Sequence, residues 1–399
     1  MDCAIQRATF GDMNSAFREC DDLVRIAPPS QRKIEALRIS ALVSMHFGNV
    51  KRAEDALAAA QVFCAEQLAT DPSPSQNVAQ ACIELMGSKL AYYRANPAQS
   101  LRLAQRATLR LESAQASAAA YVRELYIESL YELGAAFCNV GNLDRGYDCI
   151  ADAEANLCHV HAASPQLRTR ITVAVWKLRN YLVINCKSWY PSSQRLKGLA
   201  KAFEQAYAAG SIFEAVPALD ALTEYHAFAG NDAEAFHAAR LAILLAKQQA
   251  SERIRAQTSV GVAIKLLSTR YREYAFSLLP NTQQLDSCDA YHREMVSYFA
   301  AERAYRLHHF HDAWAYASGE VDRREFTGLT VHRRLLAAAT AHELGRRHDA
   351  RSLIEAAIPV AERLGSAPTL RDAYSIAAKV TGDTRFKRQA NDIARLLTA

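Results

Sequence analysis

The densest group of metal-ligating side chains in the chain is His308-His309-Phe310-His311-Asp312. Imidazole and carboxylate are zinc ligands, and two of them four residues apart on a helix share one face. His308 and Asp312 have that spacing. A closed structural site needs four ligands, and no second pair stands at a recognisable distance. The stretch is therefore read as a polar surface turn. Cys158-His159-Val160-His161 combines the same ligand types and has the same shortcoming. No G-x-x-x-x-G-K-[ST] is present to cradle phosphates, and no G-x-G-x-x-G, H-E-x-x-H or G-x-S-x-G occurs. The many Asp and Glu residues suit solvated pairing on helix faces better than acid–base catalysis. These residues predict no enzyme, no cofactor and no metal.

Composition narrows the class. Half of the 399 residues are hydrophobic, enough for a large core. Gly (15) and Pro (11) are scarce, which favours long helices, and no stretch alternates like a strand. The formal charge of +5 is a mild excess over a long surface, and direct nucleic-acid binding is not expected. The pairs Arg323-Arg324, Arg333-Arg334 and Arg346-Arg347 come nearest to a basic patch and are read as solvated helix faces. The nine cysteines form no C-x-x-C, which predicts reduced, mostly buried thiols in a cytoplasm. The N-terminus has no basic stretch followed by an apolar run, so no signal peptide is expected. No run of 18 apolar residues spans a membrane.

The element that organises the chain is Leu130–Ala153. Leu133, Gly134 and Phe137 lie on one face of a first helix. Gly141-Asn142 supplies a turn. Gly146, Ile150 and Ala153 lie on one face of a second helix. Small residues at 134 and 146 let the two backbones approach, and 133, 137 and 150 fill the surrounding space. This spacing resembles a tetratricopeptide repeat (TPR), with small residues at the eighth and twentieth places and a turn near the fifteenth.

Further copies follow when each is anchored on its twentieth place. Anchors fall at Ala16, Ala53, Ser100, Gly146, about 197, Ala235, Ala275, Ala313, Ala350 and about 387. Their steps are roughly 37 to 50 residues, against about 34 for the standard repeat. The first copy keeps only a partial first helix, about 2–10, and a start inside a repeat predicts a segment upstream. Asp71–Ser75 reads as a linker. The fifth copy is the poorest. Its helices are expected at 165–188 and 194–209, interrupted by Trp189-Tyr190-Pro191, and no residue near 196–198 fits the small anchor. The resemblance implies an all-α, right-handed superhelical solenoid of about ten antiparallel helix pairs over 1–399. A sub-division at 189–193, into 1–188 and 194–399, is the alternative to one unit.

In such arrays the first helices line a concave groove. Side chains at their fifth, ninth, twelfth and thirteenth places point into it. The register gives Arg38 and His46, then Tyr131, Cys138 and Asn139. The fifth copy contributes Tyr181, Asn185 and Trp189, and the sixth Glu224. The eighth contributes Tyr298, Glu302, Tyr305 and Arg306, and the ninth His342. Asn amides can hold a peptide backbone while Tyr rings pack its side chains. The resemblance thus implies a non-enzymatic scaffold whose groove binds a protein or peptide. Long-stepped arrays are also similar to the helical arms of bacterial regulators, among them ATP-dependent activators of the LuxR class and peptide-binding regulators of Gram-positive bacteria. The alternative function is therefore the sensory arm of a transcription regulator, binding a small effector or peptide.

Overall fold

The structure is a computed structural model that describes residues 13–28, 30–67, 74–94, 96–114, 120–157, 165–185, 193–248, 252–278, 290–319 and 327–398. Among them are nineteen helices and no strand. Helix α1 (Met13–Ile26) precedes nine antiparallel pairs. These are α2 (Gln31–His46) with α3 (Val50–Gln67), α4 (Pro74–Tyr93) with α5 (Pro97–Ala114), and α6 (Ala120–Asn139) with α7 (Leu143–Asn156). Next come α8 (Pro165–Asn185) with α9 (Ser193–Ala208), α10 (Ile212–Phe228) with α11 (Asp232–Lys247), and α12 (Glu252–Leu266) with α13 (Arg272–Ser277). The last are α14 (Ala290–Arg306) with α15 (Phe310–Ser318), α16 (Thr327–Glu343) with α17 (Arg347–Leu364), and α18 (Ala367–Thr381) with α19 (Thr384–Thr398).

The repeat register explains the pairing. Ala16, Ala53, Ala235, Ala275, Ala313 and Ala350, all placed as anchors, are fully buried. A Cβ added at Gly134 would lie 3.1 Å from Ile150 Cγ1 and 3.2 Å from the Gly146 carbonyl oxygen, so α6 and α7 touch backbone to backbone there. The turn between them places Gly141 at φ 81°, and the Asn142 side chain accepts a hydrogen bond from the Arg145 amide. His308 takes the corresponding left-handed place between α14 and α15, at φ 62°. His308, His309, His311 and Asp312 are all exposed, as a surface turn requires, and no three metal-ligating side chains cluster among the described residues.

Three expectations need correction. The fifth copy does have a small anchor, Gly198. A Cβ there would lie 2.5 Å from the Trp176 ring, so α9 receives a large side chain from α8 instead of a small one. The pattern fails in sequence because bulk moved to one helix and the glycine opposite made room for it. The stretch 71–75 is not all linker, because α4 already begins at Pro74, and proline suits a first helical turn. Arg333 is not on a solvated face. It is 4% exposed, pairs with Glu294 at 2.6 Å, and donates to the carbonyls of Tyr316, Ala317 and Gly319 at the end of α15.

Several expectations lie outside the described residues: the partial helix at 2–10, the break at Trp189-Tyr190-Pro191, the Cys158–His161 stretch and Arg323-Arg324. Cys20, Cys64, Cys82 and Cys149 are free and buried, and burial pushes the Cys82 thiol up to about 12. No helix among the described residues is long and apolar enough to cross a membrane.

Two layers result. Each first helix (α2, α4, α6 and onward) packs on the first helices before and after it, whereas second helices reach their own partner and one neighbour. The first helices therefore form the inner layer. That layer turns far enough for α18 to touch α8. Leu364, 6% exposed, joins the cluster of Ile171, Val175 and Leu182, and Ser366 Oγ donates to Asn185 Oδ1 at 3.3 Å.

Candidate binding groove

The first cluster on the inner layer gathers around Glu128 on α6, 5% exposed. Arg38 of α2 reaches it at 2.9 Å, Lys89 of α4 at 3.3 Å and Arg170 of α8 at 2.5 Å. Burial alone would raise its pKa. Arg170, Arg38 and Lys89 outweigh that and hold the carboxyl far below the usual range. Arg38 also pairs with Glu35 at 2.9 Å, Tyr121 Oη donates to Glu35 at 2.6 Å, and Lys89 pairs with Glu132 at 2.9 Å. Four helices are thus tied through buried, mutually satisfied charges.

A second cluster spans α8, α10 and α12. Lys177 and Lys265 hold Asp220 at 3.4 and 2.5 Å. Burial opposes its ionisation, but Lys265 and Lys177 keep its pKa low. Asn180 is fully buried, and its Nδ2 donates to the Ala221 carbonyl at 3.2 Å and to Glu224 Oε2 at 3.0 Å. Burial raises the pKa of Glu224. Glu214, in the first turn of α10 and 6% exposed, makes no side-chain hydrogen bond or ion pair among the described residues. Burial pushes its carboxyl up to about 7, against the pull of Arg170, Lys89 and Lys177 nearby.

The third stretch lies on α14, α16 and α18. Tyr305 Oη accepts from Lys379 at 3.4 Å, and Lys379 also pairs with Glu343, so α18 reaches α14 over α16. Glu302 pairs with Arg306 at 2.5 Å. Tyr298 is half-buried with its ring 6.1 Å from that of His332. Burial lowers the His332 pKa, and its Nε2 lies 3.3 Å from Thr369 Oγ1. Thr369 donates to Ser366 at 2.9 Å, which continues to Asn185.

The residues selected from sequence are thereby placed. Arg38 enters the Glu128 clasp and Glu224 the α8–α10 cluster. Tyr131 is half-buried in the core of α6 and α8, and burial together with Glu132 and Glu214 raises its pKa. Asn139 is half-buried near the end of α6, and Cys138 Sγ lies 3.0 Å from where a Gly146 Cβ would stand. Tyr181 is 37% exposed, and its carbonyl accepts from Asn185 Nδ2 at 2.8 Å. Asn185 also meets α18. Tyr298, Glu302, Tyr305 and Arg306 share the third stretch, with His342 half-buried on the neighbouring α16. Trp189 and the side chain of His46 lie outside the description.

Sequence reasoning missed Lys89, Glu128, Arg170, Asp220 and Glu214. Lys89 and Asp220 occupy the ninth and fifth places of copies three and six, so the register already pointed at them. Glu128 and Glu214 fall outside the four inward-facing places, on helices that carry two further acids each, Glu124 and Glu132 on α6 and Asp220 and Glu224 on α10, so no signal in the sequence singled them out.

These two layers and this inner face define a TPR-like helical-repeat protein. No protein-family model matches the sequence, and none of the curated proteins compared matches it. Among solved structures, the chain is similar to a Rap protein complexed with Competence and Sporulation Factor. The TM-score is 0.60 at 10% identity, covering 90% of this chain and 95% of that one. It is also similar to the apo form of RapI (TM-score 0.43, 12% identity, 83% and 98% covered). A third is the TPR sensor-bearing STAND ATPase PH0952 from Pyrococcus horikoshii (TM-score 0.39, 12% identity, 96% and 52% covered).

Proposed function

We propose that the chain is a non-enzymatic scaffold whose inner groove binds a peptide or a short segment of a partner protein. The observation that carries this reading is the row of polar side chains on successive first helices, from Arg38 to Lys265 and again from Tyr298 to Lys379. Packing alone does not require charges there, and replacing such pairs by apolar residues is often neutral or stabilising. A groove that recognises a polar backbone uses them. The Rap protein of like fold was solved in complex with Competence and Sporulation Factor, which agrees with a groove of this architecture holding a ligand.

A second reading is the sensory arm of a regulator. The contact of α18 with α8 favours it, because a ligand bound between them changes whether the last inner helix can meet the fourth.

Affinity capture from lysate, read by mass spectrometry, tests the first reading. Wild type is run beside a Tyr298→Ala, Tyr305→Ala double variant. A peptide or protein held by wild type and lost from the variant is the expected result. Capture by neither, or equal capture by both, ends it.

A further inference from the structure

A cavity of about 580 Å³ opens where α1 ends and α2 begins, and small-molecule sites have volumes of this order. Its walls are mostly apolar. Leu23, Ile26 and Pro28 come from the end of α1 and the chain just after it, Ala36 and Ile39 from α2, and Tyr121 from the start of α6. Arg32, Glu35, Ala36 and Ile39 fall three or four residues apart in turn and so share one face of α2. Ile26 stands 71% exposed on the opposite wall.

Most polar groups around this cavity are already matched. Glu35 accepts from Arg38 Nε at 3.0 Å, from Arg38 Nη2 at 2.9 Å and from Tyr121 Oη at 2.6 Å. Arg25, next to Ile26 in the chain, pairs with Asp22 at 2.6 Å, and Lys33 Nζ donates to the Val24 carbonyl. Arg32 is the exception. It is exposed and lines the cavity, yet only its backbone amide is bonded, to Ser30 Oγ at 3.3 Å. Its guanidinium makes no hydrogen bond or ion pair among the described residues. An apolar chamber thus adjoins one uncommitted cation. Water fills such a chamber poorly, because each molecule needs roughly two to four polar partners. A guanidinium fork matches a carboxylate in shape and charge, whereas a phosphate carries more charge than one guanidinium balances. We propose that this cavity binds a small apolar carboxylic acid, with its hydrocarbon body against Leu23, Ile26 and Ile39 and its carboxylate on Arg32. The proposal goes beyond both functional readings above. Those rest on the inner-face charges and on the α18–α8 contact, so failure here leaves them standing.

The test is isothermal titration calorimetry on the full chain with decanoate, decan-1-ol and decyl phosphate as probes. Decanol keeps the hydrocarbon body without the charge. Wild type is expected to bind decanoate at one site and at least about ten-fold tighter than decanol. Arg32→Gln is expected to bring decanoate down to the decanol level. Ile26→Asp, which sets a charge on the apolar wall, is expected to weaken both probes. Arg32 and Ile26 are exposed, so neither change disturbs the core. Should either variant not fold by circular dichroism, the comparison of decanoate with decanol on wild type decides alone. No binding of decanoate by wild type overturns the proposal, as does equal binding of decanoate and decanol. Unchanged decanoate affinity in folded Arg32→Gln or Ile26→Asp places the probe elsewhere and also overturns it. Tighter binding of decyl phosphate overturns the choice of a carboxylate. A hexapeptide ending in leucine is titrated alongside, with its terminus free or amidated. Binding of the free form alone, without decanoate, overturns the small-acid assignment in favour of a peptide terminus.

Discussion

Arg38 Nη1 and Glu128 Oε2 lie 2.9 Å apart across the face of α4, although ninety residues separate them in the chain. The bond bridges two repeats rather than one, so it fixes the curvature of the inner layer as well as the packing of its helices. Lys379 and Tyr305 repeat the relationship over α16.

Glu128→Gln leaves Arg38, Lys89 and Arg170 without their shared carboxylate. Removing one member of a buried ion set costs about 3–5 kcal/mol, and urea unfolding of the variant is expected to show it. The sign with pH follows. The folded pKa is depressed, so the contribution is present above the unfolded value near 4.5 and is lost as pH falls through the folded one. The advantage of wild type over variant should therefore shrink in acid. Matching unfolding midpoints at pH 7 would refute the clasp.

Glu214 works in the opposite sense. Its folded pKa is raised from 4.5 to about 7, so the folded state holds the proton longer than the unfolded state. Its contribution is present below 4.5 and is lost as pH rises to 7, a fall of roughly 3 kcal/mol. Glu214→Gln should abolish that slope, which denaturant melts at pH 5 and pH 8 would read directly. An unchanged slope would show the carboxyl to be paired.

Two glycines test the repeat register. Gly198→Ala forces a methyl into the Trp176 ring, and Gly134→Leu overpacks the α6–α7 contact. Each should cost about 1–3 kcal/mol. Gly230, whose Cβ would meet nothing within 4 Å, is no neutral control, because its φ of 74° strains any other residue. An exposed helical site such as Arg303 is the proper comparison, with under about 0.5 kcal/mol expected. Thermal melts of the two variants equal to wild type would displace the register.

The closure of α18 onto α8 has its own signature. Leu364→Asp puts a charge into the cluster of Val175 and Leu182, and Ser366→Ala removes the bond to Asn185. The pair of changes should open the superhelix and raise its radius of gyration in solution scattering. An unchanged radius in a folded double variant would mean that α18 is held elsewhere.

Much of the scaffold was legible because the TPR pattern is local. Gly134 with Gly146, and each buried Ala anchor, sit within one helix pair, so spacing alone placed them. Copy five was illegible for a local reason too, since the Trp176–Gly198 exchange inverts which helix carries the bulk. The groove was half legible. Register put Arg38, Glu224 and Tyr305 on the first helices, but a position facing inward does not reveal its partner.

The sequence by itself determined the helices, their pairing and the inner layer, because hydrophobic spacing and small residues act over tens of residues at most. Only the tertiary structure decided that Glu128 meets three cations, that buried Glu214 has no hydrogen bond or ion pair among the described residues, and that Ser366 returns to Asn185. Those contacts join residues dozens to nearly two hundred positions apart. They depend on the small rotation between successive repeats, summed around the superhelix, and no single repeat encodes that sum.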